Sequence, residues 1–263
     1  MYDALRRFGF GPKFLKTVQT LYKDINSNVS LSSGTSPRFV IERGSRQGCP
    51  ISPFLFLLVA ELLNLYIVNC SNIEGIQIAD RTILTSQLAD DTCIFLKDKR
   101  QVPIILEALK LFSDASGLSV NQSKSEIMTI YHSAIPDICG IKVKEKVRYL
   151  GIIINKCPHE RVENNFSMCL HKAKMVFNCW SQRSLSIHGR VLLSKAEGVS
   201  RLVYPALSLY VSSKMCSDID RAIFKFIWKN KTEYIKRKTI IRTLSEGGLN
   251  VLDFMVLYPQ FVF

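Results

Sequence analysis

Asp90 and Asp91 stand side by side in TILTSQLADDTCIFLKD, residues 82–98, between two runs rich in Ile, Leu, Thr and Phe. Such runs around a short polar pair predict two antiparallel strands joined by a tight turn that carries both carboxylates. In a regular strand neighbouring side chains point to opposite faces, so adjacent aspartates share one cation only where the backbone bends. Neighbouring anions repel, and a divalent metal is the usual remedy. The chemistry this points to is metal-dependent phosphoryl transfer. The plain alternative is a solvated hairpin turn, since Asp is itself a favoured turn residue.

The elements around the pair narrow the choice. Upstream, IERGSRQGCPISPFLFLLVAELL (residues 41–63) reads as a strand end, a glycine-bearing loop and a long apolar helix. Ser52 is placed to cap that helix and Pro53 to occupy its first turn, leaving backbone N–H groups and a positive dipole end at the loop. Gly44 and Gly48 let a substrate approach the backbone, and Arg46 and Gln47 offer donors to a phosphate or a base edge. Downstream, LFSDASGLSVNQSKSEIMTI (residues 111–130) ends a helix at Gly117 and delivers Lys124, a residue type able to protonate departing pyrophosphate. KVRYLGIIIN (residues 146–155) follows as a strand pair interrupted at Gly151.

These four segments, in this order, resemble the reverse transcriptases of LINE-type (non-LTR) retrotransposons. The match is carried by RQGCPISP (46–53), LADD (88–91), GLSVNQSKSE (117–126) and YLG (149–151), with IHGRVLLSK (187–195), FIW (226–228) and GGLNVLDF (247–254) further on, so it covers essentially the whole chain. The resemblance implies that Asp90 and Asp91 are metal carboxylates of a palm, and that Gln47, Gly48 and Pro50 shape a nucleotide and template site beside Arg46. It makes Lys124 the motif D lysine and Tyr149, Leu150 and Gly151 a primer grip. It also implies Mg²⁺ or Mn²⁺ as cofactor and an RNA template, a DNA primer and dNTPs as partners. Leu88 departs from the pattern, which more often has an aromatic there. A second departure is larger: two-metal transfer needs carboxylates holding two cations ~3.5–4 Å apart, and the family takes one of them from an earlier strand. MYDALRRFGFG (residues 1–11) reads as the helix after that strand, and Asp3 does not substitute for the missing carboxylate. The expectation is a domain truncated at both ends, with an incomplete two-metal site and no activity alone.

Composition fits a nucleic-acid partner. The formal net charge is +13 over 263 residues; residues 1–131 carry 14 Lys and Arg against 12 Asp and Glu, and residues 132–263 carry 21 against 10. The excess basicity lies beyond the acidic pair, as a grip on a polyanion requires. Arg190 and Lys195 are phosphate candidates, and so are Lys229, Lys231, Lys236, Arg237 and Lys238 in the densest basic stretch, residues 221–242. Phe224, Ile227 and Trp228 share a helical face there and read as core. Eight scattered cysteines without a CxxC pair, and no signal peptide at Met1, predict free thiols in a reducing intracellular compartment. The resemblance alone implies nucleus and cytoplasm. Cys157 with His159 and Cys169 with His171 repeat a C-x-H spacing that matches no common zinc site, so zinc is not expected. Residues 53–70 approach the length of a spanning helix but contain Glu61, Asn64 and Asn69, and a buried palm helix explains them better than a membrane.

The architecture expected is α+β: a partial palm over residues 1–155 with an antiparallel sheet and packed helices, a helical thumb over 156–245, and the start of a C-terminal extension over 246–263. The palm should open with two helices broken near residues 9–12 and a hairpin through residues 29–43. Two other functions stay open, a non-catalytic basic nucleic-acid-binding module and a decayed retrotransposon relic with an exposed sheet edge.

Overall fold

The computed structural model describes residues 1–41, 44, 46, 48–131 and 135–258. The chain divides into two compact units, one of Met1–Ile127 with Ala134–Val143 and one of Met128–Ser133 with Lys144–Phe263.

The first unit opens with α1 (Tyr2–Arg7) and α2 (Pro12–Leu21), parted at Gly9, whose φ of 81° suits a residue without a side chain. Leu5 and Val18 from these helices close on Leu55 of α3 (Ser52–Val68). Between α2 and α3 the expected hairpin is two nested two-residue ladders. β1 (Asn26–Ser27) pairs with β4 (Phe39–Val40), and β2 (Ser30–Leu31) pairs with β3 (Gly34–Thr35) inside it. After α3, β5 (Ile76–Ile78) pairs with β6 (Arg81–Ile83), and β7 (Thr85–Leu88) pairs with β8 (Asp91–Ile94). The run from Thr82 to Leu88 is therefore two strands: Ile83 turns back onto β5, and the buried Leu84 divides the hairpins. α4 (Val102–Ser116) stops at Gly117, which takes the left-handed conformation with φ 75°. Ile67, Ile73, Leu84, Ile105 and Ala108 form the core between α3, α4 and these strands. β9 (Glu126–Met128), β10 (Asp137–Ile138) and β11 (Ile141–Lys144) make a three-stranded sheet in the order β10–β11–β9.

One expectation about α3 is corrected. Its residues are apolar on every side, a pattern that predicts burial all round. Yet only Ser52, Leu55 and Ile67 are buried, while Phe54 is 67% and Leu57 64% exposed. The two small cores of this unit cover only part of the helix circumference. Among the described residues no helix is long and apolar enough to cross a membrane.

The second unit begins with the hairpin of β12 (Lys146–Tyr149) and β13 (Ile152–Asn155). Its two-residue turn has Leu150 at φ 46° and Gly151 at φ 84°, the pair of positive values that such a loop needs to match strand twist. Helices follow: α5 (Pro158–Ser181), α6 (Ile187–Leu193), a π-helical turn (Ser194–Val199), α7 (Ser200–Ser208), α8 (Ser213–Ile227), α9 (Arg237–Ile241) and α10 (Phe254–Leu257). Phe166, Phe177, Leu202, Ile219, Phe224, Ile227 and Phe254 are among their shared core. The division between compact units falls at Val143/Lys144, so the hairpin groups with the helices, whereas the sequence boundary at residue 155 marks where strand signals stop. The fold class is α+β, with small antiparallel sheets.

Candidate functional site

In the first unit the glycine loop, α3 and β7 enclose a cleft of about 1000 Å³. Cys49 N–H donates to the Arg46 carbonyl at 3.3 Å and Ser52 N–H to the Cys49 carbonyl at 3.1 Å, so the loop winds directly into the helix. The residue in the cap position is Ile51, and Ser52 is the first helical residue. Ser52 is not the cap. Its hydroxyl is buried and shares a 2.6 Å hydrogen bond with the Tyr22 hydroxyl, which fastens the start of α3 to the end of α2. Pro53 does occupy the first turn, but the N–H groups around it are largely used: Ile51 donates to the Cys49 sulfur, Ser52 to the Cys49 carbonyl and Leu55 to the Ile51 carbonyl, and Pro53 has none. The Ile51 backbone N–H donating to the Cys49 sulfur, helped by Ser52 and Arg46, holds that thiol below the ordinary thiol pKa.

The wall of the cleft follows helical spacing, with Pro53, Leu57, Glu61 and Asn64 on one face of α3. Across from them lie Thr85 and Gln87 of β7 and Ala89 of the turn. The Thr85 hydroxyl donates to Asn64 Oδ1, and Asn64 Nδ2 donates to Glu61 Oε2 at 3.4 Å, so a short polar chain ties helix to strand. Glu61, Asn64, Thr85 and Gln87 escaped the sequence reading as site residues. The signal for the first two was present, since polar residues at i and i+3 on an apolar helix need a polar neighbour.

Leu88 pairs with Asp91 and Gln87 with Thr92, which leaves a turn of Ala89 and Asp90, with Ala89 at φ 51°. Asp90 is thus in the turn, while Asp91 is the first residue of β8 rather than part of the turn. Both are exposed. Cross-strand partners share a face, so Asp91 lies with Leu88 on the face opposite Gln87 and Thr85. The cleft and the carboxylates adjoin at Ala89, and neither aspartate lines the cleft. Of the expected nucleotide and template residues, Arg46, Gly48 and Pro50 line it together, and Gln47 lies outside the described residues. Lys124 is exposed in the turn before β9, where its N–H donates to the Asn121 carbonyl at 3.1 Å, and it does not line the cleft.

In the second unit the turn at Leu150 and Gly151 is held from α7, where the Tyr204 hydroxyl donates to the Leu150 carbonyl at 2.5 Å. Asn165, buried on α5, acts as a strand partner for β13. It accepts from the Ile153 N–H at 2.9 Å and donates to the Ile153 carbonyl at 2.8 Å. The basic residues divide by environment. Lys229, Lys231, Lys236 and Lys238 are exposed, and Lys195 is half-buried. Arg190 spends its guanidinium on backbone, donating to the Ile227 carbonyl at 2.6 Å and the Leu185 carbonyl at 2.5 Å, and burial lowers its pKa. Arg237 is bidentate on Glu233, at 2.8 and 2.5 Å, and covers the Phe224 ring at 4.3 Å. Phe224, Ile227 and Trp228 are core, as their spacing indicates.

Residues 2–154 match the family described as reverse transcriptase (RNA-dependent DNA polymerase), and the chain belongs to that family. It is 24% identical to the Transposon TX1 uncharacterized 149 kDa protein of Xenopus laevis, over 96% of this chain and 20% of that protein. It is 25% identical to the Pol polyprotein of the type-2 retrotransposable element R2DM of Drosophila melanogaster, over 58% of this chain and 16% of that protein. With the Pol polyprotein of the type-1 element R2 of Popillia japonica it is 24% identical over 98% of this chain and 38% of that protein. The LINE-type, non-LTR resemblance holds, and the chain spans a fifth of the first of these relatives.

Proposed function

We propose that this chain is part of an RNA-directed DNA polymerase that joins dNTPs to a primer by two-metal nucleotidyl transfer, with a partial palm over residues 1–155 and a helical thumb over residues 156–245. The observation that carries this reading is the hairpin that exposes Asp90 in its turn and Asp91 at the first position of β8, beside a cleft of about 1000 Å³, inside the stretch that matches the family.

The donor set suits a hard divalent cation, since both groups are carboxylates and Mg²⁺ and Mn²⁺ take oxygen ligands. Among the described residues no group of three or more His, Cys, Asp or Glu side chains is positioned to hold a metal. When bound, the cation would stabilise charge developing at phosphorus and favour ionisation of the primer hydroxyl. Asp90 and Asp91 would hold it. Arg46 draws the triphosphate to the loop at the positive end of the α3 dipole, and Gly48 and Pro50 shape the surface on which the base rests. Lys124 protonates the pyrophosphate as it leaves. Tyr149, Leu150 and Gly151 form the primer grip, and the exposed lysines of the helical unit hold the primer–template duplex. Two-metal transfer takes a further carboxylate beside this pair, and the pair alone does not support synthesis.

Extension of a DNA primer on an RNA template, with Mg²⁺ or Mn²⁺, tests this. The expected result is no synthesis by the chain alone, synthesis by a longer polypeptide that includes the next aspartate-bearing strand, and loss of that synthesis in Asp90→Ala/Asp91→Ala. Synthesis by the chain alone would overturn the incomplete site. Silence of the longer form, with duplex binding intact in the double variant and without metal, would favour a binding module, which the charge of residues 132–263 independently supports.

A further inference from the structure

We propose that the turn between α8 and α9 forms a discrete phosphate pocket that seats one backbone phosphate of a nucleic acid. The inference rests on the nucleic-acid reading above, and it assigns to one place what the basic stretch shows only as a diffuse charge. The pocket has a volume of about 430 Å³, and its walls bring together Arg221, Lys225, Lys231 and Arg237 from both sides of the turn. Trp228 closes α8, and Lys229 and Asn230 both take left-handed backbone, φ 52° and 58°, which reverses the chain and carries Lys231 back toward Lys225.

The charges inside are unequal. Arg221 donates to Asp218 at 2.9 Å, and Arg237 is neutralised by its bidentate bond to Glu233. Glu233 also lines the pocket, and its carboxyl is held below the usual range by the Arg237 guanidinium. With that pair internally balanced, Lys225 and Lys231 are the cations left to face a ligand, and Thr232 and Asn230 supply a hydroxyl and an amide beside them. Two ammonium groups with neutral donors suit an anionic oxygen cluster such as a phosphate. The Arg237–Glu233 pair, braced over Phe224, fixes one wall. The Phe224 ring is fully buried beneath it, so the pocket offers no stacking surface for a base. Recognition by phosphate alone makes this contact independent of sequence.

The test is fluorescence anisotropy of a labelled RNA–DNA duplex titrated with the whole chain at a series of KCl concentrations. Three variants are compared: Lys225→Gln/Lys231→Gln, Thr232→Val, and a charge-matched control in the other unit, Lys99→Gln/Lys110→Gln. Circular dichroism confirms that each is folded. One phosphate contact contributes about 0.9 to the slope of log affinity against log salt. The pocket double variant should therefore bind about tenfold more weakly with a slope lower by about one, since losing a lysine–phosphate contact has that signature. Thr232→Val should weaken binding several-fold at unchanged slope, and the control should leave the slope unchanged. Wild type that binds duplex, with a pocket variant indistinguishable from the control, would overturn the pocket and leave the nucleic-acid reading standing. Wild type that binds no duplex overturns both. Inorganic phosphate should displace the duplex from wild type better than chloride at equal ionic strength and lose that advantage against the Lys225→Gln/Lys231→Gln variant; an advantage unchanged in the variant would overturn the pocket.

Discussion

Asp220 shows how one buried residue shapes the pH response of the second unit. It lies on α8 at 6% exposure and accepts the Phe254 and Met255 N–H groups at 2.7 and 3.2 Å, so it caps α10 from a distance of 34 residues in sequence. Burial pushes its carboxyl up to about 6 from the ordinary 3.8, the two N–H bonds oppose the rise, and Asp253 adds to it. Arg237 faces the same two carboxylates. A raised folded-state value means that the proton favours the native form. That stabilisation is complete below the ordinary pKa and is lost as pH rises through about 6. At roughly 1.4 kcal/mol per pKa unit the change between pH 4 and 7.5 is on the order of 1–3 kcal/mol. Urea unfolding of wild type and Asp220→Asn should then show the wild-type advantage shrinking between pH 5 and 7.5, and a difference constant with pH would refute it. Nothing local in the sequence marks Asp220, because its partners lie far along the chain. Ser52 was misread for the same reason. Cap preference is a local rule, and the Tyr22 hydroxyl that engages Ser52 is a tertiary contact. Arg190 reads as a free cation until its carbonyl acceptors are seen.

Elements were more legible than contacts. Pro12, Pro53, Pro103 and Pro158 each fall in the first turn of a helix, and Gly117 ends one, because these residues act through their own φ angles. The acidic hairpin was legible as two runs rich in Ile, Leu, Thr and Phe around a polar pair, but its register was not, since only the pairing of Leu88 with Asp91 decides which aspartate leaves the turn. The π-helical turn of Ser194–Val199 was invisible, because a single wide turn changes no residue preference. Its reason lies in packing. A Cβ on Gly198 would stand 2.4 Å from Phe177 Cζ, and that ring cannot retreat, being buried and stacked on Phe226 at 4.4 Å. Gly198→Ala should cost about 1–3 kcal/mol, the usual penalty for an overpacked core. Gly189, on α6, meets nothing closer than 3.5 Å. Gly189→Ala should be neutral or stabilising, by up to about 1 kcal/mol, because Ala favours helix. Chemical denaturation of both variants decides the matter, and equal midpoints would mean that α5 yields and the wide turn has another origin.

At the scale of the whole molecule, apolar residues are plentiful in both units but buried unequally. α8 buries Cys216, Ile219, Asp220, Ile223, Phe224, Phe226 and Ile227 within one large core that also takes in Phe166, Phe177 and Phe254. α3 is more apolar along its length and buries only Ser52, Leu55 and Ile67, divided between two small cores. Burial stabilises at roughly 25 cal/mol per Å² of apolar surface removed from water, so composition alone does not set local stability. Covered area does. Opening free energies track buried apolar contact, and the lowest belong to elements with little of it. Hydrogen exchange followed by mass spectrometry on the intact chain should therefore find the amides of α8 and the middle of α5 the slowest, and those of α3 exchanging earlier despite its regular hydrogen bonding. If α3 proved as well protected as α8, its exposed Phe54 and Leu57 would have to be covered in solution. The same measurement at increasing protein concentration would then report whether a second copy covers them, because protection of α3 would rise with concentration while that of α8 stayed constant.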